Sequence, residues 1–324
     1  MNWIRTLRPD NYVLAIVGMV VLASILPIHG EAAHDFGLFT KVVIALLFFL
    51  HGARLSREAV IAGLVNWRLH LVVLASTFLL FPALGLILQR LPVLPTTLAA
   101  GVLFLCCLPS TVQSSIAFTS VARGDIAAAV CAASASNLFG IFITPVIAGL
   151  TLQAHGAGFS LPAVEAIVVQ LLLPFLAGQV ARIWIADWIK RHARLTSYFD
   201  RGSILLVVYG AFSEAVTGGI WRQVSVLQIV VLVLVCGLLL AAVLAITAFG
   251  SRLLGFSKEE EITIVFCGSK KSLASGVPMA GILFPPASVG LIVLPLMVFH
   301  QIQLMACAII AQRYAARPKE PVLV

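Results

Sequence analysis

Charged residues are scarce in this chain. Asp, Glu, Lys and Arg together make up 10% of its 324 residues, whereas 61% are hydrophobic. A soluble domain carries about 25% charged residues, so this composition excludes a surface that faces water all round. Apolar runs such as 226–247 also lack the alternation of polar and apolar residues that marks the strands of a membrane barrel. The sequence therefore predicts an all-α polytopic membrane protein.

The patterns that mark enzymes and metal centres are also missing. The sequence has no Cys/His spacing typical of a metal site, no paired aspartates inside apolar segments, and no Gly-x-Ser-x-Gly motif with an acidic partner. It therefore predicts neither an enzyme nor a bound cofactor. The six cysteines all lie in apolar segments, which favours buried side chains over disulfides. The net charge of +8 comes from basic residues in loops between apolar runs, which indicates membrane topology and not a nucleic-acid partner.

Ten segments are apolar and long enough to cross a bilayer, which needs about 20 residues per helix. They are 12–28, 37–53, 68–89, 96–121, 125–151, 163–188, 200–218, 226–250, 260–284 and 288–314. With the N-terminus in the cytoplasm, most of the 21 lysines and arginines fall on the cytoplasmic side. Only Arg90, Arg222 and Lys41 fall on or near the other side. We expect both termini in the cytoplasm of a bacterial inner membrane, with membrane lipid as the surrounding partner.

The ten spans divide into two halves of five at residues 155–160. Because five is odd, the second half must run through the membrane in the opposite sense to the first. The expectation is therefore a first five-helix repeat at 12–151 and an inverted second repeat at 163–314, an arrangement common among transporters.

The fourth span of each half is interrupted by polar residues and helix breakers. In span 4 the interruption is 108–115, which contains Pro109, and in span 9 it is 267–278, which contains Gly268 and Pro278. Unwound backbone at membrane depth is tolerated where it is buried in protein or lines a watery cavity. A matched pair of such segments points to a binding site. The alternative is two kinked helices whose hydroxyls bond their own backbones.

Lys270 and Lys271 lie in the middle of span 9, where an ammonium is costly and usually functional. Neighbours on a helix point about 100° apart, so only one of the two is expected to face the cavity. The alternative is a lysine paired structurally across helices.

No acid lies in the middle of a span except Glu214, towards the outer end of span 7, which could contact solute, carry a proton or reach the headgroups. Asp125 is predicted to cap the N-terminus of span 5.

Further polar residues complete the candidate solute- and ion-binding set. Ser134 and Asn137 share a face of span 5, and span 10 carries a His and a Gln. The full set is Thr111, Gln113, Ser114, Ser115, Ser134, Asn137, Ser269, Lys270, Lys271, Ser272, His300, Gln303 and Glu214.

Three stretches resemble the SBF-like branch of the sodium/bile acid cotransporter superfamily. They are Leu-Pro-Ser-Thr-Val-Gln-Ser-Ser at 108–115, Ser-Ala-Ser-Asn-Leu-Phe-Gly at 134–140, and Cys-Gly-Ser-Lys-Lys-Ser at 267–272. The resemblance covers nearly the whole chain. It implies ten helices, with spans 1, 2, 6 and 7 in a panel domain and spans 3–5 and 8–10 in a core where helices 4 and 9 cross at their breaks.

The resemblance also implies where sodium would bind. Family ligands come from helices 4, 5 and 9, and here Ser114, Ser115 and Asn137 fall at or near such positions, as a possible Na⁺ set. The family's helix 9 Glu and Gln-Asn are absent, because Ser-Lys-Lys-Ser stands at 269–272. This departure calls sodium coupling into question and leaves the architecture intact.

Three functions follow as hypotheses. The first is alternating-access transport of a small organic anion or amphipathic solute. In it the ammonium of Lys271, or of Lys270, replaces sodium beside Ser114, Ser115 and Asn137, and coupling runs through its deprotonation. The second is ordinary sodium symport through neutral oxygen ligands. The third is a membrane protein that transports nothing and regulates ion homeostasis.

Overall fold

The computed structural model describes residues 11–54, 66–152, 168–219 and 224–317, and this part of the chain is helical with no strand. The helices are α1 (Asn11–Ile25), α2 (Glu31–Arg54), α3 (Trp67–Gln89, with a π turn at Ser76–Leu80), α4 (Thr96–Cys107), α5 (Gln113–Val121), α6 (Ile126–Leu152), α7 (Leu173–Arg191, preceded by the π turn Val168–Leu172), α8 (Ala193–Thr217), α9 (Val226–Leu253), α10 (Lys258–Gly268), α11 (Leu273–Leu283) and α12 (Pro286–Ala315).

The all-helical polytopic prediction is confirmed. Within the described ranges, α2, α3, α6, α7, α9 and α12 are long and apolar enough to cross a bilayer. Predicted spans 4 and 9 are each divided into two helices, α4 with α5 and α10 with α11. Two predicted starts were placed too late, since α2 begins at Glu31 and α8 at Ala193. Both helices begin with polar residues, whereas the predicted spans were bounded by apolar ones.

Four helices pack together on one side of the fold. α2 lies along α7, and α8 packs against both α1 and α2. The backbones of α2 and α7 touch, because a Cβ built on Gly52 would lie 2.1 Å from the carbonyl oxygen of Phe175, and one on Gly178 would lie 2.0 Å from that of Phe49. Small residues permit such close helix contacts in membranes.

The remaining helices form a second group around the two breaks. α12 packs against α4, α5, α9 and α11, while α10 packs against α3, α5, α6 and α9. α8 joins the two groups through contacts with α11 and α12. The outer face of α9 is apolar and exposed, with Leu238 and Phe249 69% and 72% accessible. Such a face is expected where a helix contacts lipid.

Polar caps tie the predicted cytoplasmic ends of α6, α9, α10 and α12 together. Asp125 accepts a hydrogen bond from the backbone N–H of Ala128 at 2.9 Å, which confirms it as the cap of α6. The carboxylate of Glu261 is buried and accepts hydrogen bonds from Arg252, Lys258 and the hydroxyl of Tyr314. These contacts fix the start of α10, and therefore the position of the break that follows it.

Candidate binding site at two broken helices

The break between α4 and α5 leaves a row of carbonyl groups without helical partners. Leu108 is extended, and Pro109 has no N–H to continue the helix. Other elements supply the missing donors. Thr144 of α6 donates to the oxygen of Cys107 at 2.8 Å, and the backbone N–H of Ser272 donates to that of Pro109 at 2.9 Å. The carbonyl groups of this break therefore accept hydrogen bonds from a side chain and from the other broken span, because buried backbone groups need partners.

Lys271 supplies the largest share of these missing donors. Its ammonium donates to the carbonyl oxygens of Cys106 and Leu108, both at 2.7 Å, and to that of Thr77 at 2.8 Å. The side chain is 0% exposed, and its nitrogen lies 4.1 Å from the ring centre of Phe81. An ammonium has three donors, so this one is fully satisfied. Lys271 therefore binds the end of α4 to α3 through three charge-assisted hydrogen bonds.

The carbonyl group of Thr77 has no donor from its own helix because of the π turn in α3. The N–H of Phe81, its usual α-helical partner, bonds to the oxygen of Ser76 instead. The partner five residues on is Pro82, which has no N–H. A proline inside α3 thus leaves an acceptor that points at Lys271.

Gln303 of α12 fixes the backbone of Lys271. Its amide oxygen accepts from the N–H of Lys271 at 2.9 Å, and its amide nitrogen donates to the carbonyl oxygen of Lys271 at 3.0 Å. The same nitrogen lies 2.9 Å from the Nδ1 atom of His300. Ser272 then caps α11 by accepting from the N–H of Ser275. Gln303 thus fixes the backbone inside the break of span 9, and the cap at Ser272 fixes the start of the helix that follows it.

Lys270 points to a different element and is less well satisfied. Its ammonium donates to the carbonyl oxygen of Ser114 at 2.9 Å, and lies 3.9 Å from the ring centre of Phe118 and 5.3 Å from that of Phe266. The side chain is 0% exposed. Among the described residues neither ammonium forms a salt bridge with a carboxylate. Aromatic rings therefore replace hydrogen-bond acceptors around Lys270.

Hydroxyl groups join the break after α4 and the start of α5 to the end of α10. Ser115 donates to the carbonyl oxygen of Phe266 at 3.1 Å, and Ser110 donates to that of Cys267 at 2.6 Å. Thr111 lies 2.6 Å from the hydroxyl of Ser114 and 3.3 Å from that of Ser115. These groups form a cluster of neutral oxygens beside a buried ammonium.

Two expectations about the lysines were wrong. They do not lie on a helix, because both belong to the non-helical stretch between α10 and α11, and neither is exposed. The ammonium of Lys271 also does not bond Ser114, Ser115 or Asn137. It bonds backbone carbonyl groups, since the break in span 4 leaves those acceptors unpaired closer to it. Lys270 is the lysine that reaches Ser114, and it does so through the carbonyl group.

Comparison with known proteins agrees with these features. The profile of the SBF-like CPA transporter family matches residues 10–316. The chain belongs to this family. Its relatives include the uncharacterized protein PA2026 of Pseudomonas aeruginosa, 56% identical over 95% of this chain and 94% of that one. They also include the putative symporter YfeH of Escherichia coli, 53% identical over 96% and 94%. Sodium/bile acid cotransporter 7 of Rattus norvegicus is 26% identical over 94% and 92%.

Membership of the SBF-like CPA transporter family makes this chain a membrane transporter and not an enzyme.

Not every predicted site residue lies at the breaks. Asn137 does, since its amide donates to the carbonyl oxygen of Ser110 and accepts from the hydroxyl of Ser275, both at 2.8 Å. Ser134 is partly buried on the same helix, and the hydroxyl of Ser269 bonds its own helix at Val265. Glu214 is exposed on α8 and is not at the crossing.

Gln113, the first residue of α5, lines a cavity of about 290 Å³ instead of the crossing itself. The other lining residues belong to the ends of α2, α7 and α8 that were predicted to be cytoplasmic. They are Arg54, Ile189, Lys190, Ala193, Thr196, Ser197 and Asp200. We call this space the α2–α8 cavity.

Several residues at the breaks were missing from the sequence-based set. Thr77, Ser110, Ser136, Thr144 and Ser275 all bond the unwound segments or the residues that hold them. Pro82 inside span 3 was a usable signal, because a proline in a helix frees a carbonyl group. The hydroxyls gave no such signal, since most serines and threonines in membrane helices bond their own backbone.

Proposed function

We propose that this protein is a secondary transporter that moves a small organic anion or amphipathic solute by alternating access. The observation that carries the proposal is the buried pair Lys270 and Lys271 at two interlocked helix breaks, where other transporters of this general design place ions. A fixed positive charge at the middle of the fold favours a solute of negative charge.

The architecture in this proposal has ten membrane helices in two inverted halves. The packing supports a panel made of α1, α2, α7 and α8 and a core made of the remaining helices, because contacts are concentrated within these groups. The breaks of spans 4 and 9 meet through the hydrogen bond from Ser272 to Pro109. Movement of one group against the other would then open access on alternate sides.

The two lysines have different roles in this proposal. Loss of a proton from Lys271 would weaken three hydrogen bonds that close the backbone of α4, so Lys271 serves as a permanent positive charge in place of sodium. Lys270 has a single hydrogen bond within the described ranges, to the carbonyl oxygen of Ser114. Its protonation changes fewer contacts, and we assign proton coupling to it and not to Lys271.

A second candidate is sodium symport through neutral oxygens. The cluster of Thr111, Ser114 and Ser115 beside the carbonyl groups of Phe266 and Cys267 supplies hard oxygen ligands. Relatives named sodium/bile acid cotransporter 7 favour the same ion. In this case sodium and the ammonium of Lys270 would compete for one region.

Thermal unfolding of the purified protein separates these candidates. The unfolding midpoint is measured in sodium and in potassium chloride at equal ionic strength, and across pH, for the wild type, Lys270→Gln and Lys271→Gln. Proton coupling through Lys270 predicts no specific effect of sodium and a pH dependence that disappears in Lys270→Gln. Stabilisation by sodium over potassium would instead support the symporter and contradict the assignment to Lys270.

A further inference from the structure

The α7–α8 corner, residues 184–198, carries three basic side chains that the protein does not neutralise. Lys190 and Arg191 end α7, Arg194 lies in the first turn of α8, and His192 is the single residue between the two helices. The three basic side chains are exposed, and among the described residues they form no salt bridge. Asp187 is the one acidic residue of the corner. The corner therefore keeps an excess of positive charge at its surface.

Most basic residues at the corresponding ends of α9, α10 and α12 are paired within the protein. Arg252 and Lys258 donate to the carboxylate of Glu261, and Arg317 donates to that of Glu259 at 2.7 Å. Basic residues are common wherever membrane helices end in the cytoplasm, so their presence alone does not indicate a site. The α7–α8 corner differs because its basic groups remain available to an anion from outside the protein.

Exposed aromatic side chains lie beside these basic groups. Trp184 and Tyr198 are 74% and 70% accessible. The spacing of Trp184, Trp188 and Arg191 places them on one face of α7, and the ring of Trp188 stacks on that of His192 with their centres 4.5 Å apart. At 1.5 Å per residue, Trp184 lies about 10 Å from Arg191 along the helix. Tryptophan and tyrosine prefer the headgroup level of a bilayer, so the basic groups lie at the level of the lipid phosphates.

The apolar part of α7 continues this surface into the membrane. In the span Val169–Arg191, 17% of the most apolar stretch is buried, against 33% or more in each of the other five candidate spans of the described ranges. Val180 and Ile183, just before Trp184, are exposed apolar residues. An acyl chain can therefore lie along α7 while its headgroup reaches the corner.

We propose that the α7–α8 corner binds an anionic phospholipid, with the phosphate at Lys190, Arg191 and Arg194 and the upper acyl chains against Trp184. Basic clusters next to a membrane helix attract anionic headgroups. A soluble phosphate would use the basic groups and leave the exposed tryptophan and the apolar face of α7 unused. A second copy of the chain, packed here by a two-fold axis, would bring like charges together. The inference does not rest on the proposed transport function.

The test measures which lipid contacts the corner. The purified full chain is placed in vesicles of phosphatidylcholine and phosphatidylglycerol with identical acyl chains, and either lipid is brominated on those chains. Bromine quenches the fluorescence of a tryptophan that it contacts, so the signal reports the lipid beside Trp184 and Trp188. A Trp184→Phe/Trp188→Phe variant measures the background from the other tryptophans. We expect phosphatidylglycerol to be favoured about tenfold at equal mole fraction, since each basic residue strengthens the attraction severalfold.

Two triple variants of equal net charge locate the site. In the first, the three basic residues of the corner are replaced, as Lys190→Gln, Arg191→Gln and Arg194→Gln, and both lipids should quench equally. In the second, three exposed basic residues elsewhere are replaced, as Lys41→Gln, Arg90→Gln and Arg313→Gln, and the preference should remain. A single symmetric elution peak and an unchanged circular dichroism spectrum show that each variant is folded.

Four results would overturn the proposal. Equal quenching by the two lipids in the wild type would show no preference, and a preference that survives in the corner variant would place it elsewhere. Equal loss in both triple variants would reflect net charge alone. Weak quenching by either lipid would show that another protein surface, such as a second copy, covers the corner.

Discussion

Replacing Lys271 with methionine tests whether its ammonium holds the end of α4. The change keeps an unbranched side chain of similar length and removes the three donors to Thr77, Cys106 and Leu108. Each buried carbonyl group left without a partner costs about 1–3 kcal/mol, so the gross loss is about 3–9 kcal/mol. Removal of the buried charge offsets several kcal/mol of this loss.

The net effect is therefore smaller than the sum of the lost bonds and still measurable. We expect Lys271→Met to lose about 2 kcal/mol or more, a large fraction of the about 5–15 kcal/mol typical of folded domains. The unfolding midpoint of purified protein measures this loss. Lys41→Met, at an exposed position, is the matched control and should unfold close to the wild type.

Chemical rescue distinguishes lost hydrogen bonds from lost packing. Lys271→Ala empties the space that the side chain fills, and ethylammonium carries the donors that the carbonyl groups need. Tetramethylammonium has the same charge and no N–H donor. We expect ethylammonium to raise the midpoint of Lys271→Ala and tetramethylammonium to leave it unchanged. Equal rescue by both ions, or a Lys271→Met protein as stable as Lys41→Met, would refute this role for the ammonium.

Three further changes test other contacts, and thermal midpoints measure each. Gly178→Ala places a methyl group against the backbone of α2 and should cost about 1–3 kcal/mol, whereas Gly237→Ala, with nothing within 4 Å, should cost nothing. Thr144→Val keeps the side-chain shape and leaves the carbonyl group of Cys107 unpaired, at about 1–3 kcal/mol. Glu261→Gln removes a buried acceptor of three side chains and should cost about 1.5–3 kcal/mol. A midpoint equal to that of the wild type would contradict the corresponding contact.

Much of the fold could be predicted because each signal acts locally. A long apolar run can be satisfied in lipid only as a helix, so the runs predict the membrane helices. Pro109 and Gly268 disturb their own helices, and both predicted interruptions fall at real breaks. Asp125 bonds an N–H three residues away, so its capping role follows from sequence alone. Local chemistry thus places the helices and their interruptions.

The partners of the lysines could not be predicted in this way. The oxygens that bind Lys271 belong to residues more than 160 positions away in the chain, and their availability depends on a π turn and a proline in α3. A sequence shows which side chains carry acceptor oxygens, so only these could be predicted as partners. Every backbone carries carbonyl groups, and only the three-dimensional structure shows which of them lack a partner.

The position of the lysines explains why two adjacent ammonium groups are tolerated in the interior. Ser269 and Ser272 bound a non-helical stretch, so the two lysine side chains are not held on neighbouring faces of one helix. Lys271 therefore reaches the end of α4, and Lys270 reaches the start of α5. On a helix the two charges would lie about 100° apart on one turn and would share fewer free carbonyl groups. The helix break thus separates the two ammonium groups and also leaves carbonyl oxygens available to accept hydrogen bonds from them. A variant that restored helix across 269–272 would lose both effects, and we expect it to bury neither lysine.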